Sequence, residues 1–280
     1  MKPAERIKRL RTLRIVLEIL FGISTAAYFI GGCRGTGIGG MAFRLQIRPL
    51  LIAETAGVLV VWIALTLILG RVYCSSVCPV GTLLDISSRL GKLLPKMRCR
   101  VFRYSSPGAW RYIFLALYLI LVAVGITGVA WLLDPWPMVS NCAGVFNVPG
   151  SRDLWAVYGI GTGLGLAAGI ASLLIIAACG SFFGRDFCNT FCPVGLGLSI
   201  VGSQSVFNIV LDPDKCTGCM ACEYGCKASC ISIADRFVDN TRCVRCFDCT
   251  DICPENAIRF KSGYPRAATP LFRRTPSAKT

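Results

Sequence analysis

Three long stretches of this chain offer almost nothing for water to hold. Tyr112 to Leu133 and Leu154 to Gly184 carry no charged residue, and Leu50 to Leu69 carries one, Glu54. A helix that crosses a bilayer needs about 20 predominantly apolar residues. Each stretch therefore predicts a spanning helix, and the one from Leu154 is long enough to tilt or protrude. A fourth, from about Ile15 to Cys33, contains Glu18, which helical spacing sets beside Arg14 near the lipid surface. Hydrophobic residues make up 54% of the chain and charged residues 16%. An ordinary soluble domain has about 25% charged residues, so a purely soluble protein is excluded.

The basic residues are unevenly placed. Six Lys and Arg precede or include Arg14, and eight lie from Arg71 to Arg111. Three lie from Gly31 to Pro49 and one from Asp134 to Asp153. Positively charged flanks stay in the cytoplasm. The pattern predicts four alternating spans with both termini cytoplasmic and the two poorer loops outside. The net charge of +15 then reads as a topology signal rather than a nucleic-acid footprint, and no nucleic-acid partner is expected.

Seventeen cysteines and no histidine narrow the chemistry further. His-ligated zinc, bis-His haem, Rieske clusters and Cys-His or Ser-His catalysis are excluded. No secretory leader is apparent, so the cysteines point to metal rather than a disulfide scaffold. They fall into two repeats. In the first, Gly70-Arg71-x-Tyr73-Cys74-x3-Cys78-Pro79-Val80-Gly81 recurs 114 positions later as Gly184-Arg185-x-Phe187-Cys188-x3-Cys192-Pro193-Val194-Gly195. Each copy follows a predicted span on the cytoplasmic side. In the second, Cys216, Cys219, Cys222 and Cys226 recur 27 positions later as Cys243, Cys246, Cys249 and Cys253.

C-x2-C-x2-C-x3-C is the spacing of two-cluster bacterial ferredoxins, in which the fourth cysteine of each run reaches the other cluster. One [4Fe–4S] cluster is therefore assigned to Cys216, Cys219, Cys222 and Cys253. A second is assigned to Cys243, Cys246, Cys249 and Cys226. Pro254 follows the last cysteine of the second run, whereas Lys227 follows that of the first and implies an altered turn. Basic neighbours Lys215, Lys227, Arg242 and Arg245 either tune the clusters, dock an acidic partner or are solvated surface. For Cys74, Cys78, Cys188 and Cys192, spaced i, i+4, three readings stand: a further Fe–S site at the membrane boundary, reversible dithiol chemistry, or packing. Arg71 and Arg185 are placed to offset anionic charge there. Cys33 and Cys142, in the outward loops, form a disulfide, a further metal site or two free thiols. Cys179 reads as packing, Cys99 has no evident partner, and Cys230 is a spare thiol or an exchange ligand.

The fold class that follows is a membrane all-α part of four helices in two repeated hairpins, with a C-terminal α+β ferredoxin-like domain. The expected divisions are a basic cytoplasmic tail at 1–14, the transmembrane domain at 15–211, the ferredoxin domain at 212–262 and an extended tail at 263–280.

This order of spans, Cys-x3-Cys-Pro motifs and two-cluster module resembles the NapH-type membrane ferredoxins, with the motif set shared by NosR and CcoG. The resemblance covers roughly residues 13 to 262. It implies a prokaryotic cytoplasmic-membrane subunit that passes electrons between the quinone/quinol pool and another redox-complex subunit: an Fe–S protein, a multihaem cytochrome or a reductase. In that role an acid must take up quinol protons. Glu54, within a span where charge is costly, and Asp134, at the outer end of the third span, are the candidates. Trp131 and Trp136 read as interface anchors. Two other functions fit the motif set: a maturation factor that reduces a metal or thiol for another enzyme, and a wire segment that anchors a larger complex. The direction of electron flow is not written in the sequence.

Overall fold

The computed structural model describes residues 3–30, 40, 44–47, 52–91, 102–104, 108–125, 133–146 and 162–263, with backbone alone for 3–6, 52–55 and 162. Apolar sequence without breakers builds four longer helices: α1 (Pro3–Ile30), α2 (Ile52–Leu69), α5 (Trp110–Ala123) and α7 (Thr162–Phe183). Among the described residues, α1 from Ile7 and α7 from Gly163 are long and apolar enough to cross a membrane. The described apolar parts of α2 and α5, Ala56–Leu69 and Trp110–Ala123, are shorter. Helix α5 ends where Gly125 adopts φ 90°, a conformation only glycine takes cheaply. All four helices carry large apolar side chains on their outer faces, among them Ile23 and Ile30 of α1, Val60 of α2, Ile113 of α5 and Leu164 of α7. A soluble domain rarely leaves a belt of that kind uncovered.

The two copies of the first repeat adopt one conformation. Gly70 and Gly184 turn the chain with φ 83° and 61°. Five-residue helices follow, α3 (Val72–Ser76) and α8 (Asp186–Thr190), and then α4 (Pro79–Gly91) and α9 (Pro193–Gly202). In each copy proline occupies the first helical position, where its missing N–H costs nothing. Gly81 packs on the Cys74 carbonyl and Gly195 on the Cys188 carbonyl so closely that a Cβ would overlap either oxygen. The N-terminal end of α1, the C-terminal ends of α2 and α7 and the N-terminal end of α5 all gather around these motifs. Arg14 of α1 donates to the Ser75 carbonyl, and Trp110 and Phe114 of α5 pack on Phe191.

The remaining described elements form the C-terminal module. Strand β1 (Phe207–Leu211) pairs antiparallel with β4 (Ile258–Ser262), and β2 (Ile231–Ser232) with β3 (Phe237–Val238). Short helices α10 (Ala221–Tyr224) and α11 (Asp248–Ile252) complete it. Its 27-residue repeat is visible in the backbone. Left-handed residues occur in register: Gly218 with Arg245, Met220 with Phe247, Ser229 with Asn256.

Three expectations are revised. The basic N-terminal segment is not a separate tail: from Pro3 it is continuous with α1, and Arg11 pairs with Asp248 and Asp251 of α11 at 3.2 and 2.9 Å. The connections placed outside return into the bundle. Gln46 accepts from the Tyr73 hydroxyl at 2.7 Å and donates to the Val77 carbonyl at 3.2 Å, which brings the first connection back to the motif end. Asp134, expected at the outer end of a span, accepts a hydrogen bond from Tyr118 in the middle of α5 and leads into helix α6 (Pro135–Val145), which packs along α7. Trp136 is 2% exposed and stacks on Phe29, so it belongs to the core rather than to an interfacial belt. Cys33, Cys99 and Trp131 lie outside the described residues, as do 264–280 of the expected tail. Cys142 is a buried free thiol.

Filling a tightly packed backbone contact typically costs about 1–3 kcal/mol. Gly81→Ala and Gly195→Ala should each lower the thermal midpoint of the detergent-solubilised protein by several degrees. Gly57→Ala on α2, where a Cβ meets nothing within 4 Å, should leave it unchanged.

Candidate iron–sulfur sites

Three sets of four cysteines emerge from these elements. In the module, one cavity is lined by Cys216, Cys219, Cys222 and Cys253. A second is lined by Cys226, Cys243, Cys246 and Cys249, with Cys230 beside them. These are the two quartets that the spacing predicts. Among the described residues no three Cys, Asp or Glu groups converge tightly enough to hold a single metal ion. Four thiols spread around a cavity suit a cluster, in which each sulfur binds its own iron.

The third quartet, Cys74, Cys78, Cys188 and Cys192, is buried where the two motif copies meet. Burial, reinforced by the Cys74 thiol, pushes the Cys78 thiol up to about 12. Burial and the neighbouring thiols push Cys188 and Cys192 up as well. Four desolvated thiolates cannot coexist unless a cation neutralises them, and iron is such a cation.

The motifs are cross-braced by their arginines, both fully buried. Arg71 of the first copy donates to the Cys188 carbonyl at 3.1 Å and the Asn189 side chain at 2.6 Å in the second. Arg185 of the second donates to the Cys74 carbonyl at 2.5 Å in the first. The symmetry then breaks. Arg185 also binds Asp85 through Nε and Nη2, at 2.9 and 2.8 Å. The position equivalent to Asp85 in the second copy is Ser199, whose hydroxyl has no hydrogen-bond partner among the described residues. No described carboxylate pairs with Arg71, and its Nη2 lies 3.9 Å from the Cys74 sulfur. A buried cation without an anion is costly. An anionic group among the thiols supplies the missing charge, so these residues fit a thiolate-ligated cluster.

The inner quartet of the module abuts this site. Arg71 Nη1 reaches the Thr241 and Arg242 carbonyls at 3.2 and 3.4 Å, next to Cys243. The Arg185 amide donates to the Lys227 carbonyl at 2.8 Å, next to Cys226. The outer quartet faces away: Cys219 is exposed, and Cys216 and Cys253 are partly so. The basic residues near the module's cysteines resolve into separate roles. Arg245 is fully buried and donates to the Leu69 carbonyl, Ser205 and Asn208. Arg242 pairs with Asp186 at 2.9 Å. Lys227, the residue replacing proline, pairs with Asp85 at 3.5 Å and Asp248 at 3.3 Å. These side chains dock the module on the bundle; Lys215 alone of the four is exposed. Cys230 lies with its sulfur 3.4 Å from that of Cys226. A hydrogen bond from Cys230, aided by Arg245, lowers the Cys243 thiol to about 6.

Sequence reasoning missed Asp85. Its position in an amphipathic helix looks like a solvated face, and only the mismatch with Ser199 in the repeat marks it. Burial alone would raise its carboxyl, but Arg185, Lys227 and Arg14 outweigh burial and hold it well below the usual range. Arg14, Glu18 and Arg185 complete the ion cluster, with Arg14–Glu18 at 3.1 Å and Arg14–Asp85 at 3.0 Å. The candidate proton acceptors are not brought together. Asp134 is buried against Tyr118, and Glu54 lies in the first turn of α2 with its side chain outside the described residues.

The donor chemistry and the fold define an iron–sulfur protein of the ferredoxin type carried on an apolar helical bundle. Comparison with known proteins agrees. A family model described as "4Fe-4S binding domain" matches residues 54–98 and 166–203, which are the two Cys-x3-Cys-Pro copies rather than the C-terminal module. An uncharacterized protein of Methanocaldococcus jannaschii is 28% identical over 255 residues, covering 88% of either chain. A second from that organism is 28% identical over 74% of this chain and 79% of its own. The ferredoxin-type protein NapH of Escherichia coli is 26% identical over 77% of this chain and 71% of its own. No solved structure matches. The chain is thus similar over most of its length to ferredoxin-type proteins of the NapH kind, and it is an iron–sulfur electron-transfer protein.

Asp85's depressed carboxyl contributes its stabilisation fully above the ordinary carboxylate range, near pH 4, and loses it as the pH falls below that. The protein should melt progressively earlier on acidification below about pH 4. Removing one partner of a buried ion pair typically costs about 3–5 kcal/mol, so Asp85→Asn should melt earlier already at pH 7 and show a flatter acid dependence. Calorimetry in detergent reads both. Cys230→Ala should retain the wild-type iron content, checked by iron analysis.

Proposed function

We propose that this protein is a four-span membrane electron carrier of prokaryotic cytoplasmic membranes, with both termini cytoplasmic, linking the quinone/quinol pool to a partner redox protein. The observation that carries the reading is the guanidinium of Arg71. It bonds the second membrane-side motif and the backbone beside Cys243 together, and so connects the buried quartet to the inner quartet of the module. Iron–sulfur clusters, when bound, supply one-electron transfer.

The chain's own residues hold and insulate that chemistry. Cys74, Cys78, Cys188 and Cys192 ligate one cluster between the two hairpins. Cys243, Cys246, Cys249 and Cys226 ligate the next, and Cys216, Cys219, Cys222 and Cys253 the outermost. Tyr73, Leu84 and Leu198 close the membrane-side site against water, since all three are buried. Glycine and alanine amides support the thiolates: Gly195 N–H points at the Cys192 sulfur and Ala257 N–H at that of Cys253, both at 3.4 Å. The exposed edge at Cys219 and Met220 is where an Fe–S, haem or reductase partner meets the chain. Among the acids of the bundle, Glu54 and Asp134 remain candidates for accepting quinol protons.

The test is anaerobic purification with iron analysis and EPR. Cys246→Ser, Cys219→Ser and Cys188→Ser should each lower iron per chain and remove a different spectral component, with membrane insertion retained. Cys179→Ser, on α7, should change neither. Wild-type iron in all three ligand variants would falsify the assignment.

A further inference from the structure

An apolar cleft of about 670 Å³ opens between α1, α4, α6 and α7. Ile15, Ile19 and Phe29 of α1, Val139 of α6 and Ile176 of α7 line its sides. Its wall begins at Pro79, one residue beyond Cys78. Its charged lining residues are Glu18, Asp85 and Arg89, and the first two, which share Arg14 and Arg185, form its polar end. Asp85 is saturated by Arg185, Arg14 and Lys227. Glu18 is 7% exposed; its Oε2 lies 3.1 Å from Arg14, and its Oε1 faces Arg185 Nη2 as an ion pair at 3.6 Å but has no hydrogen-bond partner among the described residues. Buried carboxylate oxygens are rarely left without a donor.

We infer that this cleft binds the head and first isoprenoid units of a quinol, whose hydroxyl donates to Glu18 Oε1. The inference rests on the quinol-linked reading above and adds the place of binding. The chemistry of the walls selects the ligand class. The sides are aliphatic and aromatic, and Ile19, Ile23 and Ile30 of the lining belong to the exposed apolar face of α1, so the tail must be apolar. The polar end offers one vacant acceptor already beside a guanidinium, which suits a neutral hydroxyl. The site is also adjacent to the redox end of the chain: Arg185, which lies 3.6 Å from Glu18, donates to the Cys74 carbonyl. Gly22 keeps the cleft open, because a Cβ there would meet only Thr82, at 3.8 Å, and a larger side chain would project into the lining.

The experiment uses the full chain in detergent and a quinol analogue, 2-heptyl-4-hydroxyquinoline N-oxide, whose fluorescence is quenched on binding. Saturable quenching is expected with the wild type. Gly22→Phe should weaken it at least tenfold by occupying the cleft, and Glu18→Gln several-fold by removing the charged acceptor. Gly57→Ala, on α2 outside the lining, should bind as the wild type does. Photolabelling of the unmodified chain with an azidoquinone should mark peptides of α1 and α4, a readout independent of any variant's folding. Labelling confined to α2 or α5, unaltered binding by Gly22→Phe and Glu18→Gln, or displacement of the probe by phospholipid at equal concentration overturns the proposal. Iron is counted in the same samples. A chain that binds the probe at this cleft but holds no iron sinks the electron-transfer reading and leaves the site standing; an iron-loaded chain with no probe binding does the reverse.

Discussion

Everything at the motif end hangs on two buried guanidiniums that cross between the halves. A helical bundle in lipid gains nothing from the hydrophobic effect when one helix meets another. Its halves must be joined by packing and by polar contacts shielded from water. Arg71 and Arg185 provide those contacts, each reaching from its own copy of the repeat to the backbone carbonyl of a cysteine in the other. Because an arginine fork has fixed geometry, the crossing also sets the distance between the two cysteine pairs. Gly81 and Gly195 make this possible by letting the second helix of each motif lie directly on the first.

The same polar layer seats the C-terminal module. Carbonyls that flank its inner cysteines accept from Arg71 and Arg185, while Arg245 reaches back to the end of α2 at the Leu69 carbonyl. Lys227 and Arg11 add ion pairs to α11. A domain of about fifty residues has little core of its own. Here the deficit is met on one side by its ligands and on the other by the bundle beneath it. The result is a gradient of burial, from the enclosed quartet through the inner one to the partly exposed outer one.

Much of this was legible from spacing. Two runs of four cysteines 27 residues apart announced two cavities, and the structure lines each with the expected set, including the exchanged fourth members Cys226 and Cys253. The 114-residue repeat announced two motifs of one shape. What spacing does not encode is how far a connection wanders. Gln46 and Asp134 are placed outside by charge counting, yet their side chains are held inside the bundle by Tyr73 and Tyr118. Charge counting locates the ends of helices and is blind to chain that dips back between them. In the same way Arg242, Arg245 and Lys227 look like solvated surface in one dimension, because the carbonyls and acids that bury them lie far away in sequence.

The exchange of aspartate for serine between the repeats has a consequence for how such a scaffold acquires a direction. A duplicated hairpin is born with two equivalent sides. Once Asp85 neutralises one guanidinium and Ser199 leaves the other bare, the enclosed space between them has a front and a back. The Asp85 side faces the cleft along α1 as well as the module, while the Arg71 side reaches the module without a carboxylate of its own among the described residues. That one difference between the repeats gives an otherwise twofold cage two distinguishable ends.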